Sequence, residues 1–357
     1  MQQSCLVGQE LINKFIEFGK TSKANIVRSC GYIKYDRYGN AVPDFTTFYN
    51  NLLTANGLLI SNQNESNTDG TEYVIAQPLL EQSLNELENL IGLSSIKKEV
   101  HEIISLTKII QERRFHGLSN DSNSRHMVFQ GPPGTGKTTV ARIIGKLYKS
   151  LSVLSKGHFV EVDRNKLIGR YIGQTTHKTY KLLERASGGV LFIDEAYSLS
   201  KSWGDNQSDP YGEEAIEILL KFMEDFRDDL IVIVAGYPNL MESFLKSNPG
   251  LKSRFSTYIS FPNYTEDELL KILIKKAFQS GYILSKDSKP IIDQIIKIHM
   301  ANKKENNGNA RSMRNLLDLA IKKQAFRLMQ KVSRSKEELM RLTSQDFHLS
   351  EIELTNL

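Results

Sequence analysis

The chain of 357 residues is poor in cysteine, with only Cys5 and Cys30. Two cysteines cannot build a disulfide framework. Neither sits in a CxxC pair, so no redox or zinc site built on cysteine is expected. Long apolar runs are missing as well. The longest, Leu230 to Ala235, falls far short of the about 18 residues that a membrane span needs, and no membrane partner is expected. The opening MQQSCLVGQE lacks a basic stretch followed by an apolar one, so no secretory signal is expected. These absences together make the cytoplasm the expected location. No internal repeat is visible. A strong charge of one sign is lacking too, since the net charge is only +5 with 24% charged and 40% hydrophobic residues, an ordinary soluble globular composition. The excess lies at the end: residues 262–357 hold 17 Lys and Arg against 12 Asp and Glu. A basic segment can mark a nucleic-acid partner, and a solvated helical face explains the same excess.

At about 150 residues per domain, the length allows two or three domains. SNQNESNTDG (61–70) has ten residues without a hydrophobic side chain. Such a segment cannot bury enough surface to order itself and reads as a linker. The expected units are therefore 1–60, a small α+β adaptor-like piece; 61–80, a linker; 81–264, an α/β core; and 265–357, a helical lid and tail. In the first unit, YIKYDRYGNAVPDF (32–45) suggests a hairpin turning near Tyr38-Gly39-Asn40. In the core, the apolar runs MVFQ (127–130), HFVEV (158–162), VLFID (190–194), LIVIVAG (230–236) and STYISF (256–261) are separated by segments of helical period. Continuous apolar strands alternating with helices describe an α/β fold with a parallel sheet sandwiched by helices. From Thr265 onward the pattern is helical only.

GPPGTGKT (131–138) fits G-x-x-x-x-G-K-[ST] between a strand and a helix, the context that marks a P-loop. Gly131, Gly134 and Gly136 let the backbone curl so that its N–H groups face a phosphate, beside the positive end of a helix dipole. The expected nucleotide-binding run is Gly131, Pro132, Pro133, Gly134, Thr135, Gly136, Lys137, Thr138 and Thr139. Lys137 should reach the β- and γ-phosphates of ATP, and the Thr138 hydroxyl should ligate Mg²⁺. Asp194 and Glu195 end the strand VLFID, where a parallel sheet opens its ligand crevice. Asp194 can hold the Mg²⁺, and Glu195 can orient the attacking water. The pair points to hydrolysis of ATP to ADP and phosphate.

With these motifs the chain resembles the AAA+ ATPases, and within them the CbxX/CfqX family (CbbX-like and stage V sporulation protein K-like), which includes red-type Rubisco activases. The resemblance spans roughly Leu84 to Phe347. It rests on LIGLSSIKKEV (90–100), GPPGTGKTTVAR (131–142), GRYIGQT (169–175), GGVLFIDEAYSL (188–199), YGEEAIEILLKFMED (211–225), AGYPNLM (235–241), SNPGLKSRFSTYISFPNYTEDEL (247–269) and GNARSMRNLLDLA (308–320). It implies that Ile91 and Gly92 pack against the adenine. Arg254 would be the arginine finger that reaches a neighbouring subunit's γ-phosphate, worth roughly 10³–10⁵ in rate in related enzymes. Arg311, or Arg314 one turn later, would be the sensor-2 arginine. The sensor-1 position falls at about Tyr237, where many relatives carry a polar residue, with Asn239 as the alternative.

A finger acting in trans requires head-to-tail subunits that close into a ring, and the resemblance implies a homohexamer. Tyr171-Ile172-Gly173 looks like the pore loop that grips a polypeptide. The expected function is a hexameric motor that pulls a protein client through its pore, with a Rubisco-activase-like role as one form of it. A DNA-acting assembly is the alternative, and a nucleotide-gated scaffold a third. The run 24–58 resembles the N-terminal segment of cyanobacterial AbrB-like regulators, which implies an adaptor or a DNA contact.

Overall fold

The computed structural model describes residues 33–35, 41–43, 77–118, 124–169, 173–200, 209–301 and 308–348. The chain divides into two units, Met1–Ala76 and Gln77–Leu357. In the first, β1 (Ile33–Tyr35) pairs antiparallel with β2 (Ala41–Pro43), with Lys34 opposite Val42. The expected hairpin is therefore present. Its turn at Tyr38-Gly39-Asn40, and the rest of the AbrB-like segment, lie outside the described residues.

The second unit opens with α1 (Gln77–Glu88) and α2 (Ser94–Phe115). The linker expectation ran to residue 80, but residues 77–80 are helical. Leu80, Ser83 and Leu87 form a buried stripe at helical spacing, packed on the helix that follows the P-loop. Next come β3 (His126–Gln130), α3 (Lys137–Ser150), β4 (Phe159–Val162), the short α4 (Arg164–Leu167), α5 (Gln174–Ala186) and β5 (Val190–Ile193). A 3₁₀ turn (Ala196–Ser200) leads to α6 (Pro210–Asp225), β6 (Ile231–Gly236), α7 (Pro238–Ser247), α8 (Pro249–Arg254) and β7 (Phe255–Ser260).

The five core strands pair in the order β4-β5-β6-β3-β7, every neighbour parallel. Central β5 and β6 are buried along their whole length, whereas edge strand β7 alternates buried and exposed positions. This is the burial of a sheet covered by helices on both faces. The order puts the carboxyl ends of β3, β5 and β6 side by side, and the P-loop, Asp194 and Tyr237 leave from those ends.

The lid starts at α9 (Glu266–Gln279), whose N-terminus is closed by a capping box: Thr265 Oγ1 accepts from the Glu268 N–H, and Glu268 accepts from the Thr265 N–H. It continues through β8 (Ile283–Leu284), α10 (Lys289–Ala301), α11 (Ala310–Met329), α12 (Lys336–Met340) and β9 (Arg341–Leu342). The purely helical expectation for this region is corrected by the parallel pair β8–β9, which sets Ile283 opposite Arg341 and Leu284 opposite Leu342. Two-residue strands are too short to produce a period of two in a sequence. Gln324 of α11 holds the pair in place, its amide donating to the carbonyls of Glu338, Leu339 and Arg341 at 3.2, 3.0 and 3.0 Å.

Candidate active site

The P-loop turns from β3 into α3 through Gly134 (φ 71°) and Gly136 (φ 95°), left-handed conformations that cost glycine little. Gly134 also needs to lack a side chain, because a Cβ there would lie 2.0 Å from the Gly308 carbonyl oxygen. The loop borders a cavity of about 790 Å³ between core and lid. Gly131, Pro133, Gly134, Gly136, Lys137, Thr138 and Thr139 line it. Pro132 and Thr135 belong to the loop without lining the cavity, and buried Thr135 turns its hydroxyl onto the Pro132 carbonyl at 2.8 Å.

Lys137 Nζ donates to the carbonyls of Gly131 and Pro132, both at 2.7 Å. Burial pushes its pKa down to about 8; Asp194 pulls it back up and Arg311 adds to the lowering. A phosphate beside this ammonium would compensate the burial that now opposes its charge.

Asp194 and Glu195 both line the cavity. Asp194 Oδ1 accepts the Glu195 N–H at 3.0 Å, and Glu195 is held at φ 50°. A non-glycine residue costs roughly 1–3 kcal/mol in such a conformation; here it turns the Glu195 carboxylate out toward the cavity. Tyr197, buried two residues later, hydrogen-bonds to Glu195, and its own pKa is pushed up to about 12, first by burial and then by Glu195. Its ring lies 6.2 Å from that of Tyr237. Tyr237 lines the cavity; Asn239, the alternative for the same role, is exposed on α7 and does not.

The far end of the cavity is apolar. Leu90, Ile91, Leu93 and Ile272 line it. Gly92 does not line it; at φ 65° it packs so closely on the lid that a Cβ would meet a Glu268 carboxylate oxygen at 2.2 Å. Lys275, Lys276, Gln279, Arg311 and Arg314 come from the lid, so both candidate sensor-2 arginines face the site. Arg311 and Asp194 both act on Lys137 at the P-loop, whereas Lys275 donates to the Asn89 carbonyl at 2.6 Å, beside Leu90. Apolar residues and cations lining one cavity fit a purine nucleotide with its phosphates. For Mg²⁺, the Thr138 hydroxyl and Asp194 carboxylate offer the hard oxygen donors that the ion takes alongside water and phosphate. Among the described residues no group of three or more His, Cys, Asp or Glu could hold a metal by itself.

Arg254 stands elsewhere. It ends α8, outside the lining of the cavity, with Nη2 3.0 Å from Glu224 Oε2 on α6. Its Nε is buried with no hydrogen-bond partner among the described residues. Arg170, Tyr171 and Ile172 lie outside the described residues, while Gly173 (φ 80°) is the N-cap of α5. Arg164, before that loop, donates to the Ser198 carbonyl at 2.6 Å and pairs with buried Asp209 at 2.5 Å, which ties the segment after Glu195 to the start of α6.

Sequence reasoning missed Ile272, Lys275, Lys276 and Gln279 at the cavity, Tyr197 beside Glu195, and Tyr264 and Asn309 against the P-loop. Ile272, Lys275, Lys276 and Gln279 share one helical face, a readable signal, but what that face meets depends on how the lid folds back.

Comparison with known proteins agrees with this geometry. Residues 127–263 match the model of the ATPase family associated with various cellular activities (AAA), and residues 265–356 match that of the AAA lid domain. The chain is 39% identical to stage V sporulation protein K of Bacillus subtilis over 76% of its own length and 84% of that protein. It is 42% identical to the chloroplastic ribulose bisphosphate carboxylase/oxygenase activase of Cyanidioschyzon merolae, over 75% and 90%. Among solved structures, the FIGL-1 AAA domain in complex with ADP shares the fold at a TM-score of 0.51, with 18% identity over 75% of this chain and 87% of that one.

Proposed function

We propose a function from one premise: the chain belongs to the AAA ATPases, in the CbxX/CfqX group with stage V sporulation protein K and the chloroplast activase, and hydrolyses ATP. On our reading it works as a Mg²⁺-dependent homohexameric ring that remodels a protein client. Lys137, Thr138 and the P-loop hold the phosphates and the ion, which supplies charge neutralisation at the transferring phosphoryl group. Glu195 orients the water, held by its turned backbone and by Tyr197. Arg311 and Arg314 close on the phosphates from the lid, and Ile91 lies along the adenine. Arg254 completes the site of the next subunit.

The observation that supports this most is the position of Arg254. The cavity gathers Lys137, Asp194, Glu195 and the lid arginines of one chain, while the remaining cation of the set pairs with Glu224 outside that cavity. A guanidinium held away from its own chain's site is useful where a second subunit presents a phosphate. The activase among the relatives makes a Rubisco-like assembly one candidate client, gripped by Tyr171. The unit before residue 77 would act as an adaptor. The nucleic-acid reading loses ground because Lys275, Lys276, Arg311 and Arg314, part of the basic excess, face the cavity.

The test mixes two inactive variants. Glu195→Gln and Arg254→Ala should each lose most ATPase activity, and mixed rings should regain part of it, since an intact Glu195 then meets an intact Arg254 across an interface. Mixing without recovery would rule out the finger in trans. Tyr171→Ala should retain ATP hydrolysis and lose remodelling of a trapped client.

A further inference from the structure

The P-loop is held by the junction between core and lid, whose residues Tyr264, Gly308 and Ala310 also line the cavity. Three consecutive carbonyls each accept one hydrogen bond from that junction. Asn309 Nδ2 donates to Pro133 at 3.1 Å, the Ala310 N–H donates to Gly134 at 3.2 Å, and the Tyr264 hydroxyl donates to Thr135 at 3.2 Å. A trans peptide unit is planar, so its C=O and N–H point in opposite directions. A donor fixed on one carbonyl therefore aims the next residue's N–H the other way. Three such donors aim the N–H groups of Gly134, Thr135 and Gly136. A hydrogen bond accepted by a peptide carbonyl also polarises the N–H of the same peptide unit.

Asn309 is built for this place. It is buried to 1% exposure and sits at φ 48°, a strained conformation for a non-glycine residue. Its Oδ1 accepts the Tyr264 N–H at 3.1 Å, and its Nδ2 also reaches Asn263 Oδ1 at 2.9 Å. One side chain thus joins the end of the core, the start of α11 and the P-loop. Gly134 meets the Gly308 carbonyl without room for a methyl group, so the two backbones are in direct contact.

We propose that Tyr264 and Asn309 are positioning residues for phosphate binding, which orient the P-loop N–H groups through its carbonyls and so make the affinity for phosphate depend on where the lid sits. A lid that swings away withdraws the Asn309 and Ala310 donors together, and it releases the Tyr264 N–H that Asn309 holds. The site then loosens its hold on the phosphates even though every P-loop residue is still present. The inference rests on the ATPase reading of the same cavity. If that reading were wrong, the unmodified protein would bind no ATP; if only the inference were wrong, it would bind ATP and the variants below would bind it equally well.

The experiment uses the full chain. Tyr264→Phe removes one hydroxyl and keeps the ring. Asn309→Asp keeps the acceptor for the Tyr264 N–H and replaces the donor facing Pro133 by an acceptor. The KM for ATP is expected to rise about three- to tenfold in Tyr264→Phe, the range one hydrogen bond allows, and by more in Asn309→Asp. Inhibition by tripolyphosphate, a probe with no base or ribose, should weaken by the same factor. The rate at saturating ATP should fall less than the KM rises, and the thermal midpoint of Tyr264→Phe without nucleotide should drop by no more than the loss of one hydrogen bond allows. An unchanged KM in Tyr264→Phe overturns the proposal, as does a raised KM with unaltered tripolyphosphate inhibition. If Asn309→Asp fails to fold, Tyr264→Phe decides alone.

Discussion

In the core, β5 and β6 are buried from end to end, and Phe129, Phe192 and Phe244 are fully covered. In the lid, Phe278 and Phe326 are each 75% exposed and Met329 is 73% exposed. The lid's C-terminal part is fastened by a small apolar core, in which Leu342 and Phe347 are fully covered, and by polar ties. Arg327 reaches buried Asp346 with Nε and Nη2 at 2.9 and 2.8 Å, and Gln324 spans three carbonyls. The core is stabilised by apolar area and should open only as a whole. The lid has a smaller apolar core, exposed aromatic side chains and a few directional contacts, and should open by itself, since local stability follows local burial. The ATP site lies across that boundary. Its chemistry stands on the rigid side, while four cations and two of the three donors to the P-loop carbonyls stand on the softer one.

The largest expected effect tests the rigid side. Phe192 stacks on Phe159 at 5.7 Å in the covered centre of β5. Phe192→Ala should cost about 3–5 kcal/mol, as phenylalanine truncations in packed cores do. Urea unfolding measures it, and a loss below about 1 kcal/mol would show that the core is not the better packed half. Next comes the lid. Asp346→Asn should leave Arg327 without its charge partner and cost about 2 kcal/mol, less than a fully buried pair because Arg327 is 24% exposed. Hydrogen exchange should find faster opening of α11 with β5 and β6 unchanged. Equal acceleration in both regions would mean that core and lid form one cooperative unit.

The same contrast explains what could be read in advance. All five core strands were legible within one residue, because a covered parallel sheet writes continuous apolar runs into the chain, whereas α6 begins three residues before its apolar period and the short α4, α7 and α8 left no readable pattern. The P-loop, Asp194 and Glu195 were legible because each is contiguous with a strand end. The lid was legible only as helix. Its two-residue strands leave no periodicity. Tyr264 and Asn309 act by touching backbone some 130 and 175 positions away, and no local pattern encodes which carbonyl a buried amide will meet. Asn309 carried one faint signal, its place in the GNAR segment two residues before Arg311. Tyr197 followed a recognised motif, but nothing in its spacing said that its hydroxyl would reach Glu195.

The smallest effect separates the two faces of the P-loop by pH. On the core side, Lys137 is held at about 8 by burial. On the side of the core–lid junction, the donors are neutral amides and Tyr264, whose pKa is pushed up to about 12, first by burial and then by Glu268. ATP binding should raise the pKa of Lys137, because phosphate charge favours the ammonium. The protonated form therefore binds better. Affinity should be constant below pH 8 and fall as pH rises through 8, by at most tenfold per unit, the limit for one proton. The phosphates finish their own titration lower, near pH 6, and do not contribute to this fall. Equilibrium ATP binding from pH 7 to 9.5 at fixed Mg²⁺ measures the slope. Tyr264→Phe should bind more weakly by the same factor at every pH, whereas Lys137→Met should bind weakly with no slope. A flat profile in the unmodified protein would mean that Lys137 keeps its proton throughout, and that the core face of the loop is no more pH-sensitive than the lid face.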